Sequence, residues 1–213
     1  MEGIGRDISF RHDSRAVSGV VGFIMIFAII MILMSINQAQ IVPMENSEIE
    51  FQHFQEVRDD MVEVRSSISE AGQADVSQYP TVQLGTSYPT RIFAVNPPPP
   101  SGTLETSPPY NISIDGKNVS TRFLEYRNGY NEMDIGSIWY EHSVLYLDER
   151  NTGGGIAIYE DQNIVTGNNT ASVTALQNDF RISSTGRVAL DLEPAEIAKI
   201  NSSNLDGNVT IKI

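Results

Sequence analysis

A long apolar stretch near the N-terminus is the first feature of the hydrophobic and polar pattern. No Asp, Glu, Lys or Arg stands between Ala16 and Met44, and Val17 to Ile36 is a run of about 20 mostly apolar residues. As a helix this run is roughly 30 Å long, which matches the hydrocarbon thickness of a bilayer. We therefore predict a transmembrane or assembly helix over residues 17–42.

The length of the apolar stretch agrees better with a transmembrane or assembly helix than with a signal peptide or a buried core helix. The core of a secretory signal is about 7 to 15 residues long and precedes a small-residue cleavage site, which the residues after Ile36 do not provide convincingly. A buried helix of a globular core is seldom so long and so uniformly apolar. The pattern therefore favours a segment that stays with the mature protein.

After Pro43 the pattern changes to an amphipathic helical period. Ser47 and Glu50 have the spacing of a capping box, which predicts that a second helix starts here, and Gly72 supplies its stop. We predict an amphipathic helix over residues 47–72. Its stripe packs against the protein's own downstream domain or, as the alternative, forms a short coiled-coil seam between subunits. The apolar residues of the stripe are Phe54, Val57, Met61, Val64 and Ile68.

From about residue 80 the helical period gives way to short alternating segments separated by Gly, Pro, Asn and Asp. The strand candidates are TVQLGT, TRIFAV, YNISIDG, SIWYEHSVLYLDE, GGIAIYED, ASVTAL, DFRISS, GRVALDLE and NVTIKI. Such a series is typical of an antiparallel sandwich. The whole pattern predicts an α+β protein, in which the apolar and amphipathic helices precede an antiparallel β-sandwich-like domain over residues 80–213.

The charges that flank the apolar stretch predict its orientation. Arg6, Arg11 and Arg15 precede it, whereas the first charged residues after it are glutamates, beginning with Glu45. By the positive-inside rule the N-terminus is then cytoplasmic and the β-domain is extracellular. Membrane lipid is accordingly the first expected partner.

The residues at the start of the apolar stretch resemble a known family. The segment RAVSGVVG, residues 15–22, is similar to the N-terminus of archaeal type IV pilin-like proteins, most of all those of haloarchaea. The resemblance extends over about residues 15–40, with Gly19 where the commonest family version has proline. It implies that residues 1–16 are a basic cytoplasmic leader, which a prepilin peptidase removes near Arg15, Ala16 and Val17. It also implies association with other pilin-like subunits and with pilus assembly machinery.

The composition of the chain is strongly acidic. It has 27 Asp and Glu against 14 Lys and Arg, a formal net charge of -13, and no cysteine. A surface of this sign repels nucleic acid, so we expect no nucleic-acid partner. It is typical of a protein from a salt-loving organism, where abundant cations screen the repulsion, although solubility is a sufficient alternative reason.

The titratable residues do not form the pattern of an enzyme or a metalloprotein. The three histidines, His12, His53 and His142, lack metal-ligand spacing, and no cysteine can complete a zinc site. The sequence has no G-x-S-x-G, phosphate-loop or H-E-x-x-H motif. Glu141 adjoins His142, but neighbours in a strand point to opposite faces and do not form a dyad. We therefore expect no catalytic activity, no metal and no cofactor.

Five N-x-S/T sequons lie in the predicted extracellular domain, a modest excess over chance. They are in or beside predicted turns, where a glycosyltransferase can reach them, so we expect glycosylation. Their asparagines are Asn111, Asn118, Asn168, Asn201 and Asn208.

Two functions agree with these patterns. In the first, the protein is a pilin-like subunit for surface filament assembly or adhesion, and its apolar helix packs with copies of itself. Small residues allow neighbouring helix backbones to approach, and the candidates are Ser18, Gly19, Gly22 and Ala28. In the alternative, the protein is a monotopic membrane-anchored cell-surface protein with a β-rich domain and no filament.

Overall fold

The structure is a computed structural model that describes residues 14–114, 117–150, 153–160, 165–166, 170–171, 174–195 and 207–212. Two helices come first: α1, Ser14–Ile36, and α2, Val42–Ala74, joined by a π-helical turn, Asn37–Ile41. Strands follow from residue 81 onwards. The predicted α+β class is confirmed.

The chain stays helical between its apolar and amphipathic halves. The Val42 N–H donates to the carbonyl of Asn37, five residues back, as in a π-helix. Pro43 follows directly, and a proline inside a helix clashes with the carbonyl four residues before it. The wider turn accommodates that clash. The capping box predicted at Ser47 and Glu50 is wrong, because both residues lie inside α2.

α2 contributes the centre of the hydrophobic core. Phe54 is almost fully buried, and the rest of the predicted stripe is completely buried: Val57, Met61, Val64 and Ile68. These side chains share one cluster with apolar residues of the strands, such as Leu104 and Tyr126. The prediction that the stripe packs against the protein's own domain is confirmed.

α2 does not end at Gly72 as the pattern predicted. It continues to Ala74, and Asp75 leaves the helix in the left-handed conformation with φ 55°. Gly72 lies against a strand residue, since a Cβ atom at this position would come within 2.8 Å of Thr174 Oγ1. The glycine therefore allows close packing of the helix.

Fifteen strands lie within the described residues. They are β1 Thr81–Gln83, β2 Gly102–Thr106, β3 Tyr110–Ile114, β4 Lys117–Thr121, β5 Leu124–Asn128, β6 Ser137–Glu141, β7 Val144–Asp148, β8 Ile156–Glu160, β9 Val165–Thr166, β10 Thr170–Ala171, β11 Thr174–Gln177, β12 Arg181–Ser184, β13 Arg187–Ala189, β14 Asp191–Ala195 and β15 Gly207–Lys212.

The strands form two larger sheets, and α2 contacts both of them. Six antiparallel strands have the order β12-β2-β5-β6-β7-β8. A second sheet has the order β11-β15-β14, and its β11–β15 pair is parallel, unlike the antiparallel pairing that was predicted throughout. α2 contacts the first sheet through β6 and β7 and the second through β11, β14 and β15. The helix thereby supplies core side chains to both sheets.

Three two-stranded sheets complete the described part of the domain: β1 with β13, β3 with β4 and β9 with β10. The β3–β4 hairpin has the register Asn111 opposite Ser120 and Ser113 opposite Asn118. This register places both of its sequons side by side.

The strand predictions differ from the structure at several places, and the candidates SIWYEHSVLYLDE and GRVALDLE each contain two strands, β6 with β7 and β13 with β14. TRIFAV, residues 90–95, is a loop, because polar groups of the helices bind its ends in place of a neighbouring strand. β2 and β5 were not predicted, although they are interior strands of the six-stranded sheet. The buried positions of β2 include Gly102 and Thr106, so its alternation is weak in the sequence.

Candidate functional site

The candidate functional site begins with the exposed half of the long helix. Every described side chain from Gly19 to Ile36 is exposed, including Phe23 at 71% and Leu33 at 60%. This part of α1 is about 27 Å long. It is long and apolar enough to cross a membrane, and the described part of the β-domain does not cover it.

The small residues of α1 do not all share one face. A Cβ atom added at Gly19 or Gly22 would meet nothing within 4 Å, so this surface is open. The two glycines are three residues apart and are neighbours on the helix surface. Ala28 is six residues beyond Gly22 and therefore points about 120° away from it. The structure brings Gly19 and Gly22 together, and it places Ala28 on another side of the helix.

The predicted cleavage junction lies at the beginning of α1. The backbone of Arg15, Ala16, Val17 and Ser18 belongs to the first turns of this helix. The upstream part of the predicted leader, residues 1–13, lies outside the described residues.

A buried carboxylate in the first half of α2 connects this helix to the β-domain. Glu50 is completely buried, and its two oxygens accept hydrogen bonds from three consecutive backbone amides. The distances are 2.7 Å from Asn131, 3.0 Å from Glu132 and 2.8 Å from Met133. The Tyr88 hydroxyl also donates to Glu50 Oε1. The carboxylate thereby joins two loops of the domain to the helix.

The Tyr88 hydroxyl remains a donor to this carboxylate. Burial raises the pKa of Tyr88 well above its usual value, and the hydrogen bond to Glu50 raises the pKa further. Asn131 adds a hydrogen bond from its side-chain amide to the Tyr88 oxygen at 2.9 Å. The cluster therefore keeps a protonated tyrosine beside an acceptor carboxyl group.

A second polar residue of α2 faces the same side of the domain. His53 is 3% exposed, and its Nε2 donates to the Gln83 carbonyl at 3.0 Å. Its Nδ1 lies 2.6 Å from the Tyr130 hydroxyl. Burial lowers the pKa of His53 from its usual value, against the opposing effect of the Gln83 hydrogen bond, and so favours the neutral ring.

The sequence analysis did not predict this polar cluster. The helical spacing of α2 nevertheless indicates it, because two polar residues occupy positions of the apolar stripe. Glu50 stands four residues before Phe54, in line with the apolar stripe, and Asn46 precedes Glu50 by the same spacing. Both are completely buried. A charged residue at a core position of an amphipathic helix indicates a specific partner, because an unpaired buried charge is unfavourable.

The side chains of Glu141 and His142 are not on opposite faces of one strand, as the sequence pattern predicted. β6 ends at Glu141, and His142 and Ser143 form the turn to β7 with φ angles of 47° and 67°. The Tyr110 hydroxyl donates to Glu141 Oε1 at 2.6 Å and lies 3.2 Å from His142 Nε2. The prediction of opposite faces is wrong, because the chain turns at His142. These contacts hold the start of β3 against the six-stranded sheet.

Two of the five sequons lie on one open face of the β3–β4 hairpin. Asn111, Ser113, Asn118 and Ser120 are all exposed, whereas Ile112 and Val119 between them are partly covered. Asn168 and Asn201 lie outside the described residues. Asn208 belongs to the backbone of β15. The described hairpin therefore presents two acceptor asparagines to solvent.

In the part of the chain that the structure describes, no group of three or more His, Cys, Asp or Glu residues is placed to hold a metal ion. Two acidic side chains of the interior strands β2 and β5 are paired with one arginine. Arg127 lies 2.8 Å from Glu125 and 3.2 Å from Glu105.

Comparison with known proteins yields one informative similarity. The chain is 30% identical over 155 residues to an uncharacterized protein of Archaeoglobus fulgidus, and the match covers 66% of this chain. This chain spans 26%, about a quarter, of the length of that relative. No protein-family model and no solved structure matches the chain.

Proposed function

We propose that the protein is a membrane-inserted, pilin-like subunit whose exposed helix packs with copies of itself in a surface filament. The observation that supports this is the division of one continuous helix. Its first half is apolar and exposed, and its second half forms the core of the β-domain. The exposed half can exchange lipid for neighbouring helices while the fold of the β-domain, which is built on α2, stays unchanged.

The proposal includes a defined orientation and a processing step. Arg6, Arg11 and Arg15 hold the N-terminus in the cytoplasm, and the β-domain lies outside the cell. A prepilin peptidase removes the leader at the junction of Arg15, Ala16 and Val17. The resemblance of this junction to archaeal type IV pilins supports the step, and the similarity to an Archaeoglobus fulgidus protein supports an archaeal origin.

Processing is tested by the mass of the mature N-terminus in the native host. Wild-type protein is expected to begin at Ala16 or Val17, whereas Arg15→Ala is expected to retain its leader. The reason is that the peptidase acts at the cytoplasmic face and recognises a positive residue just outside the lipid. Arg11→Ala, which leaves the junction intact, serves as the control and is expected to be processed. A wild-type protein that begins at Met1 would contradict the pilin proposal and support the anchored protein without a filament.

We also propose that the β3–β4 hairpin is glycosylated. Asn111 and Asn118 are exposed on the same face, and the serines of their sequons are exposed beside them. A glycan on each asparagine would project from this face into solvent, where it protects the hairpin.

Glycosylation predicts a specific pattern of mass changes. Ser113→Ala and Ser120→Ala are each expected to remove one glycan mass from the intact protein, because each destroys one sequon. Ser113→Thr and Ser120→Thr preserve the sequons and are expected to leave the glycan mass unchanged. All four changes are at exposed positions, so the fold is expected to tolerate them. Equal masses for the alanine and threonine variants, apart from the substitutions, would exclude glycans at this hairpin.

A further inference from the structure

A loop of the β-domain, residues 89–96, lies against the junction between α1 and α2. The Gln38 side chain makes two hydrogen bonds with the backbone of Val95. Gln38 Nε2 donates to the Val95 carbonyl at 2.8 Å, and the Val95 N–H donates to Gln38 Oε1 at 2.9 Å. Because Gln38 lies in the π-helical turn that follows α1, this pair holds the loop at the end of the apolar run.

The other end of the loop is held by Arg91. Its guanidinium lies 2.9 Å from Glu45 Oε2 and donates to Asn46 Oδ1 at 3.0 Å. The Asn96 side chain closes the base of the loop by donating to the Pro89 carbonyl at 2.7 Å. The polar groups of the loop are therefore engaged at its base.

The middle of the loop has the opposite character. Residues Ile92–Val95, which we name the apolar tip, carry no charged or polar side chain. Ile92 is 89% exposed, Phe93 is 76% exposed and Val95 is 77% exposed. Three large apolar side chains in four consecutive residues are thus left without cover by the described part of the β-domain. Such a patch marks a surface that contacts a membrane or another apolar partner.

The apolar tip lies beside the membrane helix. A groove of about 610 Å³ separates the two, with Ile30, Leu33 and Met34 among the residues on the α1 side. Ile92, Phe93 and Ala94 line the side of the tip. Ile30 precedes the end of the apolar run by about 10 Å along the helix axis. The tip therefore runs alongside the last turns of the apolar run.

We infer that the apolar tip inserts into the hydrocarbon of the leaflet nearest the β-domain, as a second membrane contact beside α1. The inference rests on the proposed membrane insertion of α1. If Ile30 and Met34 are in lipid, the side chains across the groove from them are at the same depth. Arg91 and Glu45 then lie at the level of the headgroups, where charged side chains are tolerated.

Lipid fits this surface better than a second copy of the chain does. The tip continues the uncharged surface of α1, which needs an apolar environment on every side. Flexible acyl chains can fill an irregular groove, whereas a neighbouring helix needs a complementary shape. With both α1 and the apolar tip in the membrane, the β-domain could not rotate freely about the α1 axis. The same face of the domain would then always be directed toward the membrane.

The absence of cysteine allows a direct test with single nitroxide labels. The full chain is reconstituted into phosphatidylcholine vesicles as Phe93→Cys, Ile24→Cys or Tyr79→Cys. Ile24 marks the membrane helix. Tyr79 is the matched control, because it is 67% exposed and follows Ala74, the end of α2 that is remote from the junction. The measurement is the accessibility of each label to oxygen, which enriches in hydrocarbon, and to a water-soluble nickel complex.

The expected result is an oxygen-to-nickel accessibility ratio at Phe93 close to that at Ile24 and several-fold above that at Tyr79. A ratio at Phe93 like that at Tyr79, with Ile24 in lipid, would overturn the inference and leave the proposed membrane insertion intact. A Phe93 label shielded from both reagents would show cover by a second copy and would also overturn it. A nickel-accessible label at Ile24 would instead contradict membrane insertion itself.

Discussion

Gly22→Leu is expected to leave the protein in the membrane and to remove it from the filament fraction. Leucine has a higher helix propensity than glycine and adds apolar surface, so insertion into lipid is not impaired. A Cβ atom at Gly22 meets nothing within 4 Å among the described residues, so their packing is not disturbed either. The larger side chain instead keeps a neighbouring helix from approaching the surface that Gly19 and Gly22 share.

The measurement is a blot of membrane and sheared-filament fractions from cells that express each variant. Ile26→Leu is the control, because it changes shape within the same apolar helix but adds no volume. It is expected to distribute as the wild type does. If wild-type protein never leaves the membrane fraction, or if Gly22→Leu enters filaments normally, the assembly proposal fails. The anchored surface protein would then be the better account.

Glu50→Gln is expected to lower the free energy of unfolding by about 3 kcal/mol, because a buried charged acceptor is replaced by a group that matches its donors poorly. The Glu50 carboxylate accepts from the amides of residues 131–133 and from the Tyr88 hydroxyl. A glutamine keeps one oxygen acceptor, and its NH2 group faces amides that are themselves donors. The loops that hold Tyr88 and Asn131 are then no longer fixed to α2.

This effect is measured by denaturant unfolding of the full chain in detergent, followed by the fluorescence of Trp139, the one tryptophan of the sequence. Hydrogen exchange at residues 131–133 is expected to accelerate in the same variant. Glu48→Gln is the matched control, since it makes the same chemical change at an exposed position two residues earlier. Its expected effect is within about 0.5 kcal/mol. Equal effects of the two variants would contradict a special role of the buried carboxylate.

The helical half of the molecule was largely predictable because its information is local. The absence of charge over residues 17–36 and the stripe from Phe54 to Ile68 each reflect the environment of a single helix. A helical period of 3.6 residues can be recognised without knowing what packs against it. Local signals were less reliable at the boundary between the two helices. The spacing of Ser47 and Glu50 suggested a helix start, but α2 already begins at Val42.

The strands were less predictable, because pairing depends on residues distant in the sequence. TRIFAV alternates like a strand, yet Gln38 and Glu45 of the helical region bind its ends. β2 has a weak pattern, yet β5 and β12 pair with it on either side. The prediction that Glu141 and His142 face opposite sides assumed that both belong to one strand, but β6 ends at Glu141.

The sequence by itself determined that this protein has an apolar helix of membrane-spanning length, an amphipathic helix and a β-rich domain. Hydrophobic periodicity specifies those elements, since burial of apolar surface is their main source of stability. Only the tertiary structure decided that the two helices are continuous, that Glu50 joins loops from the domain, and that Phe93 lies beside Met34. These features depend on long-range hydrogen bonds and packing, which leave no periodic pattern in the chain.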